Sequence, residues 1–241
     1  MADKGFFLFD GKSLPYTTGQ TIIQAATAAG HYIPHLCYRA EFPPHGSCKL
    51  CSVKANGKFT SACFEPVIDG MKVESETEEI RAYRKRVVQM LFAEGNHYCP
   101  FCQQSGNCKL QAVAYHLGME DTHYSHQYPR RELDASHPDV MIDHDRCILC
   151  ELCVRASRDA DRKEVFGVSG RGIHARLVVN SPTGLLGDSR FAATDTAAHV
   201  CPVGAIVPKR AAFATPIGQR RYDLHDIGES ADAAVPGKPA V

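Results

Sequence analysis

The sequence predicts an α+β protein: a small β-rich domain comes first, and helical segments follow it. Two turn signals and one change of period carry that prediction. Asp10-Gly11 and Asn56-Gly57 each join two short strand-like runs, and both dipeptides suit tight hairpin turns. From Ser75 onward the apolar residues change spacing: Ile80, Tyr83, Val87, Met90 and Leu91 recur as they would on one face of a helix.

In order along the chain, Phe6–Phe9 is a strand and Ser13–Tyr16 its return. Thr21–Ala29 (TIIQAATAA) is a helix, ended by Gly30, which accepts the left-handed conformation. A long loop carries Cys37 through Cys51. Cys51–Ala55 and Lys58–Cys63 pair across Asn56-Gly57, and Asp69-Gly70 turns the chain into a last strand, Met71–Val73. Ser75 and Glu78 stand at capping-box spacing at the head of the next helix, which Gly95 stops. Arg81, Arg84, Lys85 and Arg86 give that helix a basic face, expected to be solvated; the alternative is docking against an acidic partner. Lys109–Leu117 continues as a helix. The polar stretch 118–140 holds His123, His126 and His137 and reads as a surface connector that wraps rather than packs; its histidines lack the close spacing of a metal site. Residues 209–241 lose periodicity and read as a tail ordered against a partner or not at all. The predicted organisation is thus 1–75, 76–118, a connector 119–140, 141–208 and a tail.

Composition excludes several classes. The 241 residues carry 27 Lys plus Arg and 27 Asp plus Glu, so bulk charge gives no basis for binding nucleic acid or an anionic membrane. No apolar run approaches the roughly 18 residues of a spanning helix. The apolar burst in MADKGFFLFDG is too short for a signal-peptide core, which argues for the cytoplasm. In that reducing compartment, eleven grouped thiols are metal ligands or catalysts rather than disulfides, and an odd count fits pairing poorly.

The cysteines sort by spacing into three sets. The first is Cys37, Cys48, Cys51 and Cys63, C-x10-C-x2-C-x11-C. The second is Cys99, Cys102 and Cys108 with His97 in front, H-x-C-x2-C-x5-C. The third is Cys147, Cys150 and Cys153 with a distant Cys201, followed by Pro202. Four protein ligands, mostly thiolate, suit one iron–sulfur cluster. The first set, a loop pair flanked by one ligand on each side in a β-rich domain, favours a [2Fe–2S] centre; a structural zinc site could use the same four. In the third set C-x2-C-x2-C opens like a bacterial ferredoxin run, but the next expected ligand position is Ser157. The fourth ligand arrives after 47 intervening residues, as Cys201, so one [4Fe–4S] cluster is implied, not two. In the second set no spare cysteine exists, and His97 is the nearest fourth ligand; water, another histidine or a zinc ion are the alternatives. Gly46 suits the first ligand loop, and Pro100 and Pro202 fix the chain after ligand cysteines. Lys49, Lys109 and Arg146 each adjoin a ligand and would raise a nearby potential if they point inward rather than to solvent.

The order of these motifs resembles the iron–sulfur region of the large peripheral-arm subunit of respiratory complex I and of iron-only hydrogenases. The likeness covers about residues 4–208 and rests on DGKSLPYTTGQTIIQAATAAGHYIPHLCY, HGSCKLCSVKANG, HYCPFCQQSGNCKLQ, and DHDRCILCELCVR with CPVGAI. Because the chain stops soon after CPVGAI, it is most similar to the small diaphorase subunits of cytoplasmic NAD-reducing nickel–iron hydrogenases. The resemblance implies a β-grasp [2Fe–2S] domain, a helical [4Fe–4S] domain with one His and three Cys ligands, and a ferredoxin-like [4Fe–4S] domain. It implies an electron relay in a hetero-oligomer, between a flavin- and NAD-binding diaphorase subunit and nickel–iron hydrogenase subunits. One departure stands out: complex I relatives place the ligand histidine four residues before the first cysteine, and here that position is Gly95. The chain shows no G-x-G-x-x-G, P-loop or spare cysteine, so flavin, NAD and nickel are not expected on it, nor a catalytic residue. Two other readings remain at this point: a relay subunit of an NAD-dependent formate dehydrogenase or complex I-like assembly, and a zinc-stabilised scaffold.

Overall fold

The structure is a computed structural model that describes residues 4–229, in two compact units. The first comprises residues up to Gln89 with Ala112–Asp121 and the described residues from His225. It is built on β1 (Lys4–Phe9), β2 (Lys12–Thr17), α1 (Ile22–Ala28), β3 (Ser52–Ala55), β4 (Lys58–Ser61) and β5 (Lys72–Glu74). The five strands form one sheet in the order β2-β1-β5-β3-β4. β1 and β5 run parallel, and the other pairs run antiparallel. Both hairpin turns are the left-handed dipeptides the sequence predicts, with φ of 46° and 80° at Asp10-Gly11 and 48° and 80° at Asn56-Gly57. Gly30 ends α1 at φ 79°, with His31 N–H donating to Ala26 O at 2.8 Å. Phe7, Phe9, Ile22, Ile23, Val53 and Val73 are among the side chains that close a core between the sheet and α1.

α2 (Glu78–Glu94) begins in this unit, and its residues from Met90 belong to the second. Two sequence expectations change here. The hydroxyl that caps α2 is Thr77, which accepts from Ile80 N–H at 3.3 Å, not Ser75. Ser75 is fully buried instead, its N–H held by Asp10 Oδ1 at 2.7 Å. The buried face is also rotated: Ile80, Arg84 and Val88 are buried, while Tyr83 and Met90 are exposed. The i, i+4, i+8 line wins because Arg84, expected in solvent, has carbonyl acceptors waiting inside. It donates to Ser75 O at 2.9 Å and Ser52 O at 2.9 Å, to Ser75 Oγ at 3.0 Å and to Glu76 Oε1 at 3.1 Å. Arg81, by contrast, stays exposed and pairs with Glu76 at 2.7 Å. α3 (Lys109–His116) matches its expectation to within one residue.

The second unit holds most of residues 90–224. Its sheet is β10-β7-β6, from β6 (Leu133–Asp134), β7 (Val140–Asp143) and β10 (Ile206–Pro208), all antiparallel. A separate hairpin pairs β8 (Phe166–Ser169) with β9 (Arg176–Val179). α4 (Leu152–Arg155) runs on into a π turn over Ala156–Ala160, and α5 (Thr196–His199) precedes Cys201.

The connector packs more than its polarity suggests. Asn96 Nδ2 donates to Pro129 O at 3.0 Å, Arg131 N–H to Asp145 Oδ1 at 2.7 Å, and β6 joins the sheet. His137 is a buried core histidine against the Phe191 ring, 5.4 Å between centroids. Residues 209–229 have no helix or strand, yet they bind this chain itself. Lys209 Nζ donates to Ala135 O and His137 O at 2.6 Å, Tyr222 N–H donates to Gly106 O at 2.9 Å, and Ile227 is buried. The rest of the expected tail, 230–241, lies outside the described residues. No helix among the described residues is long and apolar enough to cross a membrane.

Candidate metal centres

The first set is assembled by a hairpin and a loop. β3 starts one residue after Cys51, and Ala62 N–H donates to Cys51 O at 3.0 Å, so Cys51 and Cys63 meet at the mouth of the hairpin, Sγ to Sγ 3.4 Å. On the loop, Cys48 N–H donates to Cys37 Sγ and Leu36 N–H to Cys48 Sγ, each at 3.5 Å. Gly46 takes φ 69°, and a Cβ there would press on the Phe64 ring at 2.9 Å. The crowding of thiols splits their acidities. The Cys48 thiol pulls Cys37 down to about 5 and Cys51 pulls Cys63 down, while Cys48 and Cys51 are pushed up by those same neighbours and by burial. Without a cationic core, not all four can be thiolates together.

The third set shows how Cys201 reaches the other three cysteines across 47 intervening residues. β7 and β10 pair Ile142 with Ile206. Cys147 lies five residues after Ile142 and Cys201 five before Ile206, so the antiparallel register aims the two at each other. With Cys150 and Cys153 they line one concavity of about 370 Å³, counting space open to solvent. Leu149 and Glu151 take φ of 51° and 56°, and Lys49 does likewise at 56° between Cys48 and Cys51. Such left-handed residues turn backbone N–H groups toward the concave side of a loop. N–H groups do reach the sulfurs: Leu149 at Cys147, and Ile206, Val203 and Ala205 at Cys201. Burial still dominates, raising Cys147 to about 11 and lifting Cys153 and Cys201 as well. Buried Arg155, which the spacing argument did not single out, holds the loop from behind, donating to Glu151 O at 3.2 Å and Cys150 O at 3.3 Å. Asp161 accepts from Thr196 and Ala197 N–H at 2.8 and 3.0 Å and so fixes the segment leading to Cys201.

The second set lies in the same unit. Cys99 opens a 3-10 turn with Pro100 in its first turn, and Cys108 precedes α3, whose Gln111 and Leu110 N–H groups face its sulfur. Burial lifts Cys108 to about 12. His97 is pushed the other way, to about 4, first by burial and then by the charges of Arg146 and His126. Its imidazole is therefore neutral, and Nε2 is buried without a hydrogen-bond partner. A bare, buried, neutral imidazole nitrogen and three thiols within twelve residues of chain are donor types that suit a soft metal core. Two glycines make the space. A Cβ on Gly95 would stand 2.4 Å from His97 Nε2, and one on Gly204 would stand 2.9 Å from Cys102 Sγ. Neither glycine is flagged by cysteine spacing. Lys49 is exposed, as its solvent alternative had it, but Arg146 turns inward, toward the second set rather than its neighbour Cys147. Among the described residues no three His, Cys, Asp or Glu side chains close on a point as they would around a single ion.

Three family models match in succession: a 2Fe-2S iron-sulfur cluster binding domain at 6–78, the NADH-ubiquinone oxidoreductase-G iron-sulfur binding region at 84–123, and a 4Fe-4S single cluster domain at 140–207. The fold and these matches define an iron–sulfur protein with a 2Fe–2S ferredoxin domain followed by 4Fe–4S domains. The gamma subunit of the NAD-reducing hydrogenase HoxS of Cupriavidus necator is 38% identical over 219 residues, covering 90% of this chain and 93% of that one. The chain belongs to that family of hydrogenase iron–sulfur subunits. It is also 31% identical to the NADPH-Fe(3+) oxidoreductase subunit alpha of Geobacter sulfurreducens and to the NADH-ubiquinone oxidoreductase 78 kDa subunit of Candida albicans, spanning 24% and 30% of their lengths. Among solved structures, a chain of an NAD+-reducing [NiFe]-hydrogenase in the H2-reduced state is 50% identical, with 94% of this chain and 99% of that chain covered and a TM-score of 0.89.

Proposed function

We propose that this chain is the electron relay of an NAD-reducing hydrogenase, joining nickel–iron hydrogenase subunits to a flavin- and NAD-binding subunit. Cys37, Cys48, Cys51 and Cys63 hold a [2Fe–2S] cluster; His97, Cys99, Cys102 and Cys108 a [4Fe–4S] cluster; Cys147, Cys150, Cys153 and Cys201 a second [4Fe–4S] cluster. Such clusters supply one-electron carriers whose potentials follow ligand type, sulfur hydrogen bonds and burial. The three segments 1–75, 76–118 and 141–208 each carry one set, and 119–140 connects the last two.

The observation that carries the reading is the way the second and third sets interlock. Lys109 N–H, next to Cys108, donates to Pro202 O at 2.9 Å, next to Cys201. Residues of one ligand loop thus brace the other, as a path for short electron steps requires. His97 supports the same reading. Its ring fills the space over Gly95, the position where complex I relatives carry their ligand histidine, which supports a ligand moved two residues along the loop.

Analysis of the purified complex tests this. About ten irons per chain with acid-labile sulfide are expected, together with nickel in the complex. Zinc without sulfide overturns the relay, and molybdenum in place of nickel moves it to a formate dehydrogenase. His97→Ala is expected to alter the spectrum and potential of one [4Fe–4S] cluster; an unchanged signal removes His97 from the ligand set.

A further inference from the structure

Arg146 precedes Cys147 in the third set, yet its guanidinium faces the second. One Nη donates toward Cys102 Sγ at 3.5 Å, Gln103 Oε1 at 3.2 Å and Gly204 O at 3.5 Å. On the other side Nε pairs with Asp143 Oδ2 at 2.8 Å. Both members of that pair are largely buried, with side-chain exposures of 21% and 18%, so solvent screens the charge little. Asp143 is itself fixed, since its Oδ1 accepts from Asp145 N–H at 3.1 Å and its own N–H donates to Ala205 O at 2.7 Å. Gly204 is the companion feature. A side chain there would meet Cys102 Sγ at 2.9 Å and the Arg146 nitrogen at 3.4 Å, so a glycine is what lets cation and sulfur approach.

We propose that Arg146 sets the potential of the cluster held by His97, Cys99, Cys102 and Cys108, and so the step in potential between it and the neighbouring cluster whose ligand loop Arg146 begins; this rests on the relay reading above. An electron arriving at a cluster held there would add one negative charge to the sulfurs and the core. No bond breaks and no proton has to move. A guanidinium N–H on one of those sulfurs strengthens as the charge grows, so Arg146 favours the reduced form. Asp143 opposes this by drawing the guanidinium charge toward itself. The two residues therefore act with opposite sign on the same potential. A loop brace has no such signature: if Arg146 and Asp143 only held the fold, removing either would disturb the cluster in the same sense.

The experiment is EPR-monitored redox titration of the whole complex, with the second-cluster signal identified as the one changed by Cys102→Ser. Arg146→Gln is expected to weaken reduction of that cluster about tenfold, which is 59 mV for one electron, while the [2Fe–2S] potential holds and the third cluster moves less. Arg146→Lys recovers part of the loss. Asp143→Asn, which keeps the acceptor toward Asp145 N–H, shifts the same potential upward by about threefold; it carries the sign test if Arg146→Gln does not assemble. An unmoved second-cluster potential in Arg146→Gln, a larger shift in the third cluster, or a downward shift in Asp143→Asn overturns the proposal. If instead the unmodified complex has no signal that responds to Cys102→Ser, the relay reading itself fails, and the proposal with it.

Discussion

Arg84 in the first unit and Arg146 in the second both lie close to cysteines of their own unit, and the two are held in opposite ways. Arg84 in the first unit has no exposed surface and spends its donors on Ser52 O, Ser75 O, Ser75 Oγ and Glu76. Two of its four acceptors are main-chain carbonyls, so it ties α2 to β3 and to the strand end that leads into α2. Arg146 in the second unit keeps some exposure and points a donor at sulfur. A buried cation whose Nη groups are taken up by carbonyl, hydroxyl and carboxylate oxygens is a structural bolt; one aimed at a cysteine sulfur is an electrostatic control. The same residue type beside the same kind of site thus does two jobs, and the acceptors decide which.

The strongest way to break this comparison is to remove Arg84. Arg84→Ala leaves the Ser52 and Ser75 carbonyls buried without that donor and opens a void, so the first unit is expected to lose about 3 kcal/mol. Urea unfolding followed by [2Fe–2S] absorbance measures it. Arg146→Gln, read the same way, is expected to cost less, about 1 kcal/mol, because the glutamine amide keeps a donor at the site and residue 146 is not fully buried as Arg84 is. Equal losses at the two positions would erase the distinction.

Gly204→Ala is the next test. The new methyl would enter at 2.9 Å from Cys102 Sγ, and overpacking of this kind costs about 2 kcal/mol. Iron content is expected to fall at the second cluster, with the [2Fe–2S] signal untouched. A full second-cluster signal at its normal potential would mean that the loop yields and that the close approach of Arg146 to Cys102 is not required.

Much of this site could be read in the sequence because ligand spacing is local. C-x2-C-x2-C defines a loop whatever surrounds it; distant Cys201 enters the reading because Ser157 leaves the third set one thiol short, and the fold lines it on one concavity with the other three. The hairpins were legible for the same reason: Asp10-Gly11 and Asn56-Gly57 encode their own geometry. What escaped was set by tertiary partners. Arg84 looks like one of four solvated charges until β3 and Ser75 bring carbonyls to it. Ser75 looks like a cap until Asp10 takes its N–H and Thr77 caps in its place. Arg146 adjoins Cys147 in sequence, and only the fold turns it to Cys102. Gly95 reads as a helix stop and Gly204 carries no signal of its own; their role is the space they leave.

The smallest expected effect concerns Ser157, the position where a ferredoxin run would carry another cysteine. It is buried like Ser75, but the comparison separates them again. The Ser75 hydroxyl serves a charged donor, whereas Ser157 Oγ accepts a plain backbone bond from Val165 N–H at 2.8 Å, and its carbonyl accepts from Lys163 and Glu164 N–H at 2.8 and 3.2 Å. The serine therefore closes the π turn after α4 rather than merely lacking a ligand. Ser157→Ala strands one buried N–H and is expected to cost about 1 kcal/mol in thermal unfolding, with all cluster signals intact. Ser157→Cys restores the ferredoxin spelling but leaves the side chain facing Val165, so iron per chain stays unchanged. A gain of iron in that variant would show that the turn can release residue 157 toward a cluster, and that sequence spelling outranks the local hydrogen bond.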